Sequence, residues 1–427
     1  MSIEIPEINY YQVDNNTKIM FLHGGKHIFR IEVLNRVGSA NESAEEYGLA
    51  HFYEHMVFKG AYMGKRIIDI IEFYGCSFNA STSIEETIYW ISGSSEHSKF
   101  MVDIILQMVY EPQFPECDIE KELQVVLEEL HMSKNSNGTL ISSAINNKLF
   151  KDINESLCRP VIGYEENILK FDRKLLMDFY KNKYMKNEKI ILVIGNFNKQ
   201  EIKKQISNKL SPLQPWTPTF VTPERELTVK HFKQMPPGII HIEIPQEYCA
   251  VNIMFRSIDN NSCWILSGII LSAILAGGPS SRLFRILREE NGLTYYQNAS
   301  NYRYEDHGIF NISFGVRADG FQKALDLILE QTLTFPDVDD YELQVVKNKY
   351  ETGLLYDIES PLTMGAIAID YIINKKDPET YRNFRNRIHN TKSKHINNFA
   401  SKIFNRENMT IFVACNKEIY KSLNINS

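Results

Sequence analysis

Apolar positions along the chain alternate in some stretches and recur with a helical period in others. Lys18–Leu22 and Ile28–Leu34 read as strands, paired through a turn at Gly24-Gly25. Ala44–Phe58 and Ile67–Tyr74 read as helices, and Glu86–Gly93 as a strand with Thr87-Ile88-Tyr89-Trp90-Ile91 at its centre. Lys99–Tyr110 and Asp118–Ser133 read as helices, and Lys189–Gly195 is a β-rich run that closes the first half. Trp264–Ala276 is apolar apart from Ser267, Gly268 and Ser272. At about 13 residues it falls short of the ~20 needed to cross a bilayer, so it is expected to be a buried helix. Strands grouped with hairpin turns, and helices able to cover one face, predict an α+β fold with a largely antiparallel sheet.

The pattern repeats. Glu-Leu-Gln-Val-Val occurs at Glu122–Val126 and again at Glu342–Val346. Val102-Asp103-Ile104-Ile105-Leu106 resembles Leu325-Asp326-Leu327-Ile328-Leu329, and the run Asn187–Asn196 resembles Asn408–Asn416. The three offsets are 220, 223 and 221 residues, in one order along the chain. The chain therefore reads as two homologous domains of about 210 residues each. The expected division is a first domain over residues 1–210, a linker over 211–235 and a second domain over 236–427. Pro212, Pro215, Pro218 and Pro223, followed by Pro236-Pro237, mark that linker.

Composition narrows the class without naming it. The 427 residues are 43% hydrophobic, enough for large cores and too many for a disordered chain. Charge is nearly balanced, with 47 Lys+Arg against 53 Asp+Glu and a net of −6, and no basic block. A nucleic-acid partner is not expected. The N-terminal run carries early acids, so it reads as neither a secretory signal nor a transit peptide. No run is long enough for a membrane span. Six cysteines (Cys76, Cys117, Cys158, Cys249, Cys263, Cys415) are scattered without a CxxC pair. They read as reduced thiols, and the expected location is cytoplasmic.

The sharpest chemical signal is His51-Phe52-Tyr53-Glu54-His55. On a helix the two histidines lie about 40° apart around the axis, with Glu54 about 60° to the other side of His51. Two imidazoles on one face suit Zn²⁺, and a carboxylate beside them can serve water at the metal. Such a site needs a third protein ligand. The helix over Asp118–Ser133 offers Glu122, Glu128 and Glu129, of which Glu122 and Glu129 share a face. The second repeat holds Lys349 where Glu129 would fall and has no histidine pair, so only the first reads as metal-competent.

With these residues assembled, the sequence resembles the pitrilysin/insulysin family of inverted-motif (HxxEH) zinc peptidases. It is most similar to the short branch that includes mitochondrial processing peptidase and small bacterial homologues. The residues that carry the resemblance are Gly48–Gly60 around the motif, Asn79-Ala80-Ser81-Thr82, and Glu122 through Leu130. In the second repeat they are Gly277–Phe284, Arg288 and Gly292-Leu293-Thr294-Tyr295. Cys76 stands where the family usually has a second Gly after Gly75, a departure confined to that turn.

The resemblance implies His51, His55 and Glu129 as ligands of one Zn²⁺ per chain, and Glu54 as the general base. It implies Glu122 as an acid that orients one of the histidines. Asn79 and Ala80 would receive substrate main chain at a strand edge. Arg288 and Tyr295 would contact substrate carbonyls near the scissile bond. The implied activity is a zinc metalloendopeptidase acting on short or unfolded peptides in an enclosed chamber. A dedicated leader- or targeting-peptide processing peptidase is the alternative, and a non-catalytic accessory subunit is a third. Large members carry four such domains in one chain. This chain carries two, which implies a homodimer, or a heterodimer with a second family member.

Overall fold

The computed structural model describes residues 8–151, 154–217, 238–260, 262–304, 307–373 and 384–423. Most of the expected linker, from residue 218 onward, lies outside the described residues. The chain forms two compact units. The first takes Met1–Ser136, Phe150–Thr219 and Tyr356–Ile373, and the second takes Asn137–Leu149, Phe220–Leu355 and Asn374–Ser427. The units are thus interleaved along the chain, where the repeat alone suggests contiguous halves.

The first unit is built on a seven-stranded sheet. Its strands are β1 (Ile8–Gln12), β2 (Thr17–His23), β3 (Ile28–Asn35), β4 (Ser77–Thr82), β5 (Thr87–Ser94), β6 (Lys189–Gly195) and β7 (Gln214–Pro215). Their order is β4-β5-β3-β6-β2-β1-β7, and every pairing is antiparallel except β2 with β6. The expected β2–β3 hairpin is not formed, because β6 lies between them. The reason is burial: all seven β6 residues are buried, and a strand covered on both faces belongs at the centre of a sheet.

Alternation places one side chain in two on each face. Ile19, Phe21, Ile31, Val33, Ile191, Val193, Tyr89 and Ile91 share the main core with the helices. Those helices are α1 (Leu49–Val57), α2 (Ile67–Phe73), α3 (Ser98–Tyr110) and α4 (Glu116–Lys134). On the opposite face the helix Pro361–Ile373 lies against β6 and β2. A Cβ on its Gly365 would stand 2.0 Å from Ile194 Cδ1, so a larger residue there would require the Ile194 side chain to move.

The second unit repeats the plan. Its strands are β8 (Gly238–Glu243), β9 (Cys249–Ser257), β10 (Thr294–Arg303), β11 (Gly308–Val316) and β12 (Met409–Cys415). They run β8-β12-β9-β11-β10, strand for strand the order β2-β6-β3-β5-β4 of the first unit. The single parallel pair recurs too, as β8 with β12. The helices α5 (Ile265–Ala276), α6 (Phe321–Leu333) and α7 (Asp340–Glu359) stand in the places of α1, α3 and α4. The fold is thus α+β, two homologous domains each with a largely antiparallel sheet covered by helices. Among the described residues no helix is long and apolar enough to cross a membrane.

Candidate metal centre

The motif helix α1 begins later than periodicity predicts, at Leu49 and not at Ala44. Gly48 stops it, at φ 96°. A Cβ there would stand 2.4 Å from Ile162 O, and one on Gly163 2.2 Å from Tyr47 O. Two glycines packed backbone to backbone thus set where the helix starts. Its first amides are taken by Glu42, whose Oε2 accepts from Gly48 N at 3.1 Å and Oε1 from Ala50 N at 2.8 Å.

One helical turn then brings His51 and His55 side by side, ring centroids 4.7 Å apart. Glu129, on α4, faces both: its Oε2 lies 3.8 Å from His51 Nε2 and 3.6 Å from His55 Nε2. One ligand atom from each of the three falls within 4.8 Å of the others. Tetrahedral zinc with bonds of ~2.1 Å separates its ligands by about 3.4 Å, so the observed spacings need only a small contraction. The donor set, two imidazoles and a carboxylate, is one that zinc accepts. Glu128 is exposed on another side of α4, and Glu129 is the acid of that helix that stands with the two histidines.

The remaining acid on that helix face plays a different part. Glu122 Oε1 lies 2.9 Å from His55 Nδ1, and its Oε2 lies 2.5 Å from Lys59 Nζ. Burial alone would raise the Glu122 pKa, but the hydrogen bonds and charges of His55 and Lys59 outweigh it and hold the carboxyl below its ordinary range. Burial likewise works to depress His55, yet the bond from Glu122 and the charges of Glu129, Glu122 and Glu54 hold it above its usual value. With Nδ1 engaged by Glu122, Nε2 is the ring nitrogen that faces Glu129. His51 differs: burial and the neighbouring His55 push it down to about 4, so it is neutral and able to ligate.

Glu54 sits beside this cluster. Its Oε2 accepts a 2.6 Å hydrogen bond from Thr82 Oγ1. Burial raises its pKa, although Thr82 and His55 favour the ionised form. Asn79 and Ala80 lie on β4, the terminal strand of the sheet, in register with Trp90 and Tyr89. Its other edge carries no strand among the described residues.

Arg288 and Tyr295 are brought together in the second unit. Arg288 Nη1 donates to Tyr295 O at 3.2 Å, and the guanidinium lies 5.4 Å from the centre of the Tyr295 ring. Tyr295 is 84% exposed and stands where the β10–β11 register is broken between Thr294 and Gln297. β10 is the counterpart of β4, so Tyr295 lies on the edge strand of its own sheet, while Arg288 reaches it from the helical segment Phe284–Glu290. The second unit has no histidine on α5. Lys349 donates instead to Gly277 O at the end of that helix, and Glu342, the repeat of Glu122, is gripped by Arg282 through two 2.7 Å bonds.

Sequence reasoning assigned no part to Thr82, Lys59 or Glu42. Thr82 and Lys59 lie within runs that carried the family resemblance. Glu42 had no signal, because it reaches the helix from an irregular segment.

Two repeats of one α+β plan, with a His-His-Glu cluster found among the described residues only in the first, define a two-domain metallopeptidase-like architecture. Residues 22–161 match the insulinase (peptidase family M16) domain, and residues 170–350 match the peptidase M16 inactive domain. The chain belongs to peptidase family M16. An uncharacterized zinc protease of Rickettsia bellii is 30% identical over 66% of this chain and 66% of its own length. The uncharacterized zinc protease YmxG of Bacillus subtilis is 28% identical over 76% of this chain and 77% of its own. The crystal structure of a protease from Helicobacter pylori has the same fold, with a TM-score of 0.81 and 20% identity, over 96% of this chain and all of that one.

Proposed function

We propose that the chain is a zinc-dependent endopeptidase that cleaves short or unfolded peptides, with one zinc per chain held by His51, His55 and Glu129. The observation that carries this reading is the convergence of two imidazole Nε2 atoms and Glu129 Oε2 beside the anchored carboxylate of Glu54. A zinc ion there supplies a Lewis acid for the scissile carbonyl and acidifies adjacent water. Glu54 takes the proton from water and passes it to the leaving amine. The free edge of β4, at Asn79 and Ala80, takes an extended peptide as an added strand. Tyr295 donates a hydrogen bond to the developing oxyanion, and Arg288 holds the substrate carbonyl beside it.

We further propose that the working form is a homodimer enclosing a chamber, in which Arg288 and Tyr295 of one chain serve the metal centre of the other. The support is family resemblance and the place of the metal cluster, which among the described residues occurs in one of the two repeats. An accessory role without catalysis is disfavoured by the complete set of His51, Glu54, His55 and Glu129.

Digestion of a mixed peptide library, with cleavage sites read by mass spectrometry, tests the activity. Cleavage is expected with zinc present and is expected to stop with a chelator. Cleavage that persists in a protein shown to be metal-free refutes the reading.

A further inference from the structure

Thr82 is the last residue of β4, the terminal strand of its sheet among the described residues, and its hydroxyl reaches across to Glu54 on α1. We propose that Thr82 is a positioning residue for catalysis: it holds the Glu54 carboxylate at a fixed place relative to the strand that receives the peptide. This rests on the reading of Glu54 as the base.

Counting hydrogens supports the assignment. A threonine hydroxyl has one proton to give. Thr87, opposite Thr82 in the β4–β5 register, spends its own on Val37 O at 2.8 Å and accepts from Tyr184 OH at 3.0 Å. The Thr82–Thr87 separation is a longer 3.5 Å. Thr82 therefore has its proton free for Glu54, and at 2.6 Å the bond has the length of a hydroxyl donating to a carboxylate. Thr87 and Tyr184 are buried, so the network behind Thr82 is fixed by packing.

The geometry links two functions that are remote in sequence. Glu54 must sit within reach of the water it deprotonates, while the peptide must lie on β4 in one register. A side chain that belongs to β4 and bonds the base ties these positions together. A carboxylate with only its own rotamers to hold it samples several orientations, and fewer of them are productive. Glu54 is half-buried on α1 and keeps its place on that helix without the hydroxyl. Loss of the hydroxyl is therefore expected to weaken turnover and not to abolish it.

The test compares Thr82→Val, Thr82→Ser and Glu54→Gln on a quenched-fluorescent peptide carrying a sequence that the wild-type chain cleaves in a library digest. Valine keeps the branched shape and strand preference and removes the donor. Thr82→Val is expected to retain full zinc by metal analysis, to lose about tenfold in kcat and to keep KM within about twofold. Thr82→Ser, which restores the donor, is expected within about threefold of wild-type kcat. Wild-type kcat in Thr82→Val, loss of its zinc, a change confined to KM, or a serine variant as slow as the valine one each overturns the proposal. Glu54→Gln separates the two readings. If it is inactive while Thr82→Val is unimpaired, only the role of Thr82 falls. If Glu54→Gln cleaves at the wild-type rate, or the wild-type chain with zinc cleaves nothing, the base assignment falls and takes this proposal with it.

Discussion

His55 Nδ1 and Glu122 Oε1 lie 2.9 Å apart, which turns the other ring nitrogen of His55 toward Glu129. The carboxylate stands outside the His51, His55 and Glu129 cluster. It bonds one member of that cluster, and Lys59 holds its second oxygen. In the second repeat the equivalent acid, Glu342, is likewise held by a cation, Arg282, with no histidine to orient. The carboxylate at this helix position thus has a partner in both halves, and only the first half couples it to a histidine.

Glu122→Gln follows directly. Glutamine keeps an acceptor for the Nδ1 proton but gives up the charge that strengthens the imidazole and neutralises Lys59. Zinc affinity is expected to fall about 10- to 100-fold, the usual effect of removing a ligand's outer partner. Competition against a chromophoric chelator measures it. Unchanged affinity assigns Glu122 to packing alone.

Shared sites in a dimer make a sharper prediction, since each half of the chain would supply what the other lacks. Glu54→Gln is expected to keep zinc and lose turnover, and Tyr295→Phe to lose most of its turnover. A heterodimer of the two holds one intact site and one doubly damaged site. Equal mixing with random exchange should therefore restore about a quarter of the wild-type rate. Recovery absent after exchange has been verified by mass spectrometry excludes sites shared between chains.

What the sequence disclosed follows from the range of the interactions. His51, Glu54 and His55 were legible because helix geometry within one turn is local, and Glu129 because it lies seven residues from Glu122 on one helix. The repeat was legible because both copies keep similar apolar strings at β6 and β12. Strand neighbours were not, because β6 inserts between β2 and β3 from some 160 residues further along. Nor was the true start of α1, which depends on the backbone contact of Gly48 with Ile162. The bond from Thr82 to Glu54 spans 28 residues and two elements, and no spacing rule reaches it. The interleaving of the units is equally tertiary: Asn137 bonds Gln246, and the helix Pro361–Ile373 lies on β6.

Glu42 gives the fold a pH dependence whose sign can be worked out. Burial pushes its carboxyl from 4.5 up to about 8, against the pull of the Ala50 and Gly48 amides and of Arg159. An acid with a native pKa above its unfolded value favours the folded state most at low pH. That contribution is intact below about 4.5 and is lost as pH climbs through about 8, because the unfolded chain sheds the proton first. Urea unfolding should therefore show stability declining from pH 5 to pH 9, with other titrations superimposed. Glu42→Gln isolates the effect. The variant keeps one acceptor for the helix amides and turns a donor toward the other, so at pH 5 it should be less stable by about 1 kcal/mol. It cannot titrate, so the gap should close as pH rises and then reverse, leaving the variant the more stable of the two at pH 9. A gap that stays constant across that range means Glu42 is already ionised in the folded protein, held so by the two amides at the start of the motif helix.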